Sequence, residues 1–441
     1  MKLQPAVPEL GEQPQRANRG AAYLKVMSTM RRRDPLKILF LTSSYPRDEH
    51  DVAAVFLRYM AESLVAHGNQ VHVLAPADGK SATTIDGAIT VHRFQYFPQR
   101  WQKLAYGSGI LPNLSDSPWL WLQVPFYLLA MLWTLLRLLR QEKFDLLHAH
   151  WILPQGLIAI LAKTVHPIPL VTTAHGADAF ALKGRLNALI KRLVVAKSDA
   201  WTANTAATAA AVGDPMSTSP ARVIPMGVDI GRFANGDRHT LRALVAENDF
   251  LLLFVGRLVE KKGVDDLLRA LALLPAALKP RTRLWIVGDG ERRAALEKTA
   301  VELAIDQQVR FWGMVRNQEL PNFYAAADLF VAPSVEARSG DSEGQGVVFL
   351  EAFAARLCVL ATRSGGIDAV VRDRHSGILV RPNQPQEIAA AIEQLMCDSA
   401  LRTTLADNGY DEVKERYDWR HIAGEFDKLY RESIASTRHH H

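Results

Sequence analysis

The chain has 441 residues, 48% apolar and 22% charged, which gives room for two or three domains with large cores and excludes a fibrous or disordered protein. Two cysteines, Cys358 and Cys397, exclude a disulfide scaffold, and no CxxC or Cys/His cluster points to zinc. The net charge of +6 is uneven: residues 1–230 hold 24 Lys/Arg against 16 Asp/Glu, residues 231–441 hold 28 against 30, so an anionic partner, membrane or nucleic acid, is expected on the first half.

Residues 1–36, ending in Arg31-Arg32-Arg33-Asp34-Pro35, contain no apolar run and read as a disordered basic tail, with Met27 and Met30 as alternative starts. The apolar core of about 7–15 residues that a secretory signal needs is not present, so the expected location is the cytoplasm, with reduced thiols. From Lys37 onward, short β-branched or Leu-rich runs alternate with helical segments, the pattern of parallel sheets. The first strands are expected at Lys37–Leu41, Val71–Ala75 and Ile89–Arg93.

Trp119 to Leu136 is apolar except for Gln123, Pro125 and Thr134. Pro125 suits the first turn of a helix, leaving Phe126–Leu136 uninterrupted, short of the roughly 20 residues that cross a bilayer. Three readings stand: a helix packed in the core, a patch lying in a membrane interface with Trp119, Trp121 and Trp133 beside Arg137 and Arg140, and a true span.

Strands follow at Asp145–Ala149, Leu170–Ala174, Ala200–Ala203 and Arg222–Ile224. In Leu147-His148-Ala149-His150-Trp151, His148 and His150 are read as facing opposite sides of a strand, as cleft wall or packing and not as a metal pair. Thr173-Ala174-His175-Gly176-Ala177-Asp178 places His175 just past a strand end, where it either polarises a sugar hydroxyl or phosphate or packs structurally. Pro225-Met226-Gly227-Val228-Asp229, with Gly231, Phe233 and Gly236, reads as a hinge.

The second half has strands at Phe250–Val255, Arg283–Val287, Gln308–Phe311, Leu329–Ala332, Cys358–Ala361 and Ile378–Val380. Each half is about one doubly wound α/β domain, and in such sheets ligands bind beyond the carboxyl ends of the strands. Arg257 follows a strand and Lys262 precedes a helix, so together they suit a diphosphate, Arg as a fork and Lys as a point charge; alone, both read equally as surface cations. In Gly340-Asp341-Ser342-Glu343-Gly344-Gln345-Gly346-Val347, running on to Glu351, Gly344 and Gly346 sit where a helix begins, and its free N–H groups and dipole suit an anion. Glu343 is placed to face the reacting group and Glu351 to accept hydroxyl hydrogen bonds from a ribose. Val287-Gly288-Asp289-Gly290-Glu291-Arg292-Arg293 lacks the third glycine of a dinucleotide fingerprint, no P-loop occurs, and no Asp-x-Asp pair occurs. Charge on a diphosphate is therefore assigned to Arg257, Lys262 and helix N-termini, with no metal and no cofactor.

These segments, with Ile224–Asp229, Val287–Gly290 and His175–Asp178, resemble in order and spacing the retaining glycosyltransferases of family 4, which have two Rossmann-like domains facing a cleft (GT-B). The resemblance implies an N-terminal acceptor-side domain over 37–230, a donor-nucleotide domain over 231–415, and a terminal helix over 416–435 returning to the first domain. It implies transfer of a sugar from a nucleotide diphosphate sugar with retained configuration. By motif position Arg257 and Lys262 hold the diphosphate, Glu351 the ribose, and Glu343 with the backbone of Gly344, Gln345, Gly346 and Val347 the sugar and phosphates. His175 reaches the sugar from the other domain, Met314 lies by the base, and Asp178, Tyr45 and Asp51 fall on the acceptor or sugar side. The departing diphosphate then helps to deprotonate the acceptor, so Glu343 need not be a nucleophile. Departures are a loop over Ser43–Asp51 without the glycine pair many members carry, Gly346 in place of a common proline, and Asp368 where Glu is frequent. The expected acceptor is a growing surface polysaccharide on a lipid carrier, at the inner face of the plasma membrane. Alternatives are a soluble transferase or phosphorylase on a small sugar phosphate, or a non-catalytic nucleotide-sugar-binding subunit; nucleic acid is not expected, since the basic excess is diffuse.

Overall fold

The computed structural model describes residues 34–48, 51, 53–107, 109–181, 184–213 and 220–438. The basic stretch through Arg33, with Met27 and Met30, and Glu49 and His50 of the first loop lie outside the described residues.

Two sheets carry the fold. The first contains β1 (Lys37–Leu41), β2 (Gln70–Pro76), β3 (Ala82–Asp86), β4 (Ile89–Phe94), β5 (Leu146–His150), β6 (Leu170–Ala174), β7 (Ala200–Ala203) and β8 (Arg222–Val223), in the order β3-β4-β2-β1-β5-β6-β7-β8. All pair in parallel except β3, which runs antiparallel to β4 at the edge. The second contains β9 (Phe250–Val255), β10 (Thr282–Val287), β11 (Val309–Gly313), β12 (Leu329–Ala332), β13 (Val359–Thr362) and β14 (Ile378–Val380), in the order β11-β10-β9-β12-β13-β14, all parallel. Strands covered by helices on both faces read as unbroken apolar runs, and β1, β5, β6, β9 and β12 are buried almost throughout. In each sheet the order reverses around the first strand, β1 or β9, which opens a crevice at the carboxyl ends beside it.

Four helices frame the cleft and its flanks: α1 (Val55–Ala66), α2 (Gln123–Gln141), α3 (Val347–Ala354) and α4 (Trp419–Arg438). α2 is longer than the expected Phe126–Leu136, because a 3-10 turn over Pro118–Leu122 leads straight into it and Pro125 sits in its first turn. From Pro118 to Gln141 it is long and apolar enough to cross a membrane by length and composition. Tyr127, Met131, Leu135 and Leu138 are buried in the first domain's core, while Trp121 (61% exposed), Leu129 (65%) and Trp133 (64%) project outward. Trp119, Phe126, Arg137 and Arg140 share that exposed side.

The chain passes between the sheets twice. Ile224–Asp229 leads forward and Tyr417–Trp419 leads back, and the two segments lie side by side, with Val228 N–H donating to Tyr417 O at 2.8 Å. A Cβ on Gly227 would fall 2.9 Å from Tyr417 O and 2.8 Å from the Trp419 ring, so glycine permits the approach. α4 then buries Trp419, Ile422, Ala423, Phe426 and Tyr430, spaced as one helical stripe, among Ile38, Phe40, Met60 and Val71 of the first domain.

Candidate active site

Loops at the carboxyl ends of β5, β6 and β7 face loops after β9 and β12. After β9, Gly256 and Arg257 lead into a 3-10 turn over Glu260–Lys262, closed by Gly263 at φ +62. A Cβ on Gly263 would stand 1.9 Å from Pro333 O, so the turn is pressed onto the loop after β12 and Lys262 is aimed across it. Lys262 Nζ pairs there with Glu343, both side chains largely buried. Burial alone would raise the Glu343 carboxyl, but Lys262, Lys261 and Arg257 prevail and hold it at about 2. Lys261 is engaged with Asp341 at 3.0 Å and with Ser342 O at 3.2 Å.

Gly346, at φ +73, starts α3. The first N–H groups of a helix have no intrahelical acceptor and lie at the positive end of its dipole. One turn in, Glu351 accepts a hydrogen bond from Tyr324 Oη at 2.7 Å, and burial raises its carboxyl despite that bond and the nearby Arg232. Val347 is half-buried at the helix start, and Met314, just past β11, is 56% exposed.

Gly344 lies at one of the places where the two domains meet, as does Tyr59 of α1, which bonds Arg232 and Asn317. Thr205 Oγ1 donates to Gly344 O at 3.1 Å, and Asn204 Nδ2 donates to His175 O at 3.2 Å. A Cβ on Gly344 would fall 2.6 Å from His175 O, and one on Gly176 would fall 2.8 Å from Gly344 Cα. His175 packs between Phe56 and Trp151, and its Nε2 is 3.1 Å from His150 Nδ1. Burial pulls His175 down to about 3, so the ring is neutral and acts as a hydrogen-bonding group. Beside this junction His175 Nδ1, His150 Nε2 and Asn204 Oδ1 are buried polar atoms with no hydrogen-bond partner among the described residues, an unusual state for a native interior.

Several expected residues have other duties. Gln345 is buried, and its side-chain amide exchanges hydrogen bonds with Met226, accepting from N–H at 2.7 Å and donating to O at 2.9 Å, so the side chain ties the domains together while its backbone stays in the loop before α3. Asp178 is buried, and its carboxylate accepts from the N–H groups of Ile152, His175 and Gly176, so it shapes the His175 loop from behind. Tyr45 is wholly buried with its hydroxyl toward Asp86, and Asp51 is bound by Arg47 Nε at 2.6 Å and the Ala53 N–H. Both organise the loop after β1. His148 and His150 do not face opposite sides: residues two apart on a strand share a face, and their rings lie 4.0 Å apart. His148 instead bonds Tyr430 of α4 at 2.8 Å and Thr173 at 2.7 Å.

The sequence reading missed Tyr324, Arg232, Asn204 and Thr205. Asn204 and Thr205 immediately follow β7, so the strand-end rule that picked out His175 applies equally to them. Tyr324 meets Glu351 from 27 residues away on another helix, and no local pattern marks it.

Two parallel α/β domains joined by paired crossovers, with chemistry gathered between their strand ends, define the GT-B architecture. Residues 239–412 match the family of glycosyl transferases group 1, and residues 53–232 match glycosyltransferase family 4. The chain belongs to this family. It is 33% identical over 322 residues to a D-inositol 3-phosphate glycosyltransferase of Salinispora arenicola, covering 66% of this chain and 70% of that one. It is 36% identical over 279 residues to the protein of that name from Geodermatophilus obscurus, covering 58% of this chain and 60% of the relative's length. A Bacillus subtilis glycosyltransferase named for teichuronic acid biosynthesis, TuaC, is 26% identical over 87% of this chain and 95% of its own. Among solved structures, sucrose-phosphate synthase of Thermosynechococcus elongatus superposes with a TM-score of 0.75 at 21% identity, over 91% of this chain and all of that one. Anabaena HepE, solved with UDP-glucose, gives 0.68 at 22% identity, again over 91% of this chain and all of its own.

Proposed function

We propose that the chain transfers a sugar from a nucleotide diphosphate sugar, with retained configuration, to a lipid-linked saccharide of a surface polysaccharide. The observation that carries the donor half is the Lys262–Glu343 pair beside Arg257, in the loop leading into the helix that carries Glu351 and its partner Tyr324. A diphosphate fits the cations and the N-terminus of α3. Glu351 accepts the ribose hydroxyls, and neutral His175 hydrogen-bonds the transferred sugar from the other domain. The bond from the anomeric carbon to the diphosphate oxygen breaks, the acceptor hydroxyl bonds to that carbon on the same face, and its proton passes to the departing diphosphate. No metal, cofactor or covalent enzyme intermediate takes part. HepE, solved with UDP-glucose, and TuaC, named for teichuronic acid biosynthesis, support this reading by likeness.

The test is a thermal-shift panel of UDP, GDP and ADP on wild type and Glu351→Ala. A nucleotide at about 100 times its Kd adds roughly 2.7 kcal/mol. One nucleotide is expected to stabilise wild type and not the variant; no response to any of them refutes the donor site.

The acceptor half rests on the outward face of α2, where Trp119, Trp121, Phe126, Leu129 and Trp133 stand beside Arg137 and Arg140, a composition that suits an anionic bilayer surface at the cytoplasmic face. Replacing Trp119, Trp121 and Trp133 with Ser is expected to abolish flotation with anionic phospholipid vesicles and transfer to lipid-linked acceptors, with the Tm kept. Undiminished transfer to lipid-linked acceptors by that variant, or activity on soluble sugar phosphates alone, refutes it in favour of a soluble acceptor.

A further inference from the structure

Away from the cleft, three side chains from separate stretches of sequence converge toward the amino ends of the first sheet's strands. His72 is the third residue of β2, His92 the fourth of β4, and Glu142 directly follows α2. His72 Nδ1 lies 3.0 Å from His92 Nε2 and 3.9 Å from a Glu142 carboxylate oxygen, and all three ligand atoms fall within 4.8 Å of one another. The imidazoles stack with planes only 16° apart. His92 is buried, whereas His72 and Glu142 reach solvent, which gives an ion a way in.

His92 Nδ1 faces Thr83 Oγ1 at 3.2 Å. A proton donated there leaves Nε2 with a bare lone pair aimed at the other two groups, the outer-shell arrangement that fixes metal-bound histidines. Burial favours the neutral rings, bringing His72 down to about 4 and lowering His92 as well. The 3.0 Å contact is a hydrogen bond between the two rings when no ion is bound, so an ion takes the place of the shared proton and His72 then carries its N–H on Nε2. A cation already occupies this place: Lys37 Nζ sits 2.7 Å from Glu142. Its side chain is part-exposed and also lies over the Phe144 ring at 5.2 Å, so a divalent ion that takes the carboxylate displaces the ammonium from Glu142.

We infer that His72, His92 and Glu142 form a binding site for a divalent transition-metal ion. Two imidazoles and one carboxylate suit zinc, with a fourth position left to water. The site joins β2 and β4 to the end of α2, so the ion clips the helix that carries the exposed aromatic face and takes no part in sugar transfer. Positions 72, 92 and 142 are too widely spaced to read as a motif, which is why sequence inspection pointed to no metal.

The experiment is a Zn²⁺ titration by calorimetry of the chelator-treated full chain, beside a His72→Ala/His92→Ala variant. The C-terminal His439–His441 offer Zn²⁺ imidazoles of their own, and the variant supplies that background. Wild type is expected to bind one ion more than the variant, and its Tm to rise with Zn²⁺ where the variant's does not. Equal stoichiometry and equal thermal response overturn the site. If the double variant fails to fold, Glu142→Gln at the solvent edge takes its place. It is expected to weaken Zn²⁺ binding at this site about tenfold or more and to alter the visible absorption of bound Co²⁺. Unchanged affinity and an unchanged spectrum overturn the inference.

Discussion

Glu343→Gln is expected to lower turnover by roughly 10²–10³-fold, the scale of losing one pre-organised polar group at a reacting centre, while nucleoside diphosphate affinity holds or improves. The two effects separate because of what Lys262 does without a ligand. Its ammonium is spent on Glu343, and the carboxyl is held at about 2 by that contact together with Lys261 and Arg257, against the pull of burial. An incoming diphosphate must share Lys262 or displace the carboxylate from it. With Gln the competing charge is gone and Lys262 is ready for phosphate. Lys262→Ala acts in the opposite sense: it removes a charge-assisted hydrogen bond of about 1.5–3 kcal/mol, so affinity itself falls roughly 10–100-fold. Calorimetry with the nucleotide from the thermal panel, set beside turnover at saturating donor, distinguishes the cases. If Glu343→Gln loses affinity and turnover in equal proportion, Glu343 only binds the donor and the role given to it at the reacting centre is wrong.

Gly344→Ala should cost at least about 100-fold in activity, since a displacement near 1 Å at an aligned site is worth that much. The added methyl would sit 2.6 Å from His175 O and 3.2 Å from both Gly176 Cα and Asn204 Nδ2. Two of these neighbours are backbone, so relief requires the domains to part. The cores lie on either side of the junction and keep their packing, so the Tm should change little, and nucleotide binding should survive on the second domain. Gly87→Ala is a suitable control. Gly87 has a positive φ, +61, and no atom of the described residues lies within 4 Å of its would-be Cβ, so that change strains a turn without touching the cleft. Full activity in Gly344→Ala would mean that the contact between the His175 and Gly344 loops is not part of the working state.

Most of the architecture was legible because parallel strands buried on both faces leave a strong apolar signal. Lys37–Leu41, Leu170–Ala174, Ala200–Ala203, Phe250–Val255, Leu329–Ala332 and Ile378–Val380 have the expected bounds, and other strands differ by one or two residues. β3 escaped because Ala82–Thr83–Thr84–Ile85–Asp86 is an exposed edge with no buried face to impose a period; the Asp86-Gly87 pair at its end was the only local hint. At the site, the strand-end rule located loops well and side-chain directions poorly. It brought Arg257, Lys262 and Glu343 together, which the structure also does. The resemblance added Asp178, Tyr45 and Asp51, whose side chains, like that of Gln345, turn back into the protein to hold the His175 loop, the loop after β1 and Met226. Those directions depend on contacts between distant residues, as between Gln345 and Met226, 119 positions apart, and a single sequence does not display them.

The return of α4 to the first domain sets the order in which a growing chain can mature. Every strand of the first sheet has been synthesised by Val223, yet the surface holding Ile38, Phe40, Met60 and Val71 lacks its cover until Trp419–Tyr430 appears. At about 5–20 residues per second, that surface waits roughly 10–40 seconds on the ribosome. The second domain, whose strands all lie between Phe250 and Val380, has its sheet assembled inside that interval. The half begun first is therefore the half finished last, and its open apolar face is the part of the nascent protein most in need of chaperone protection.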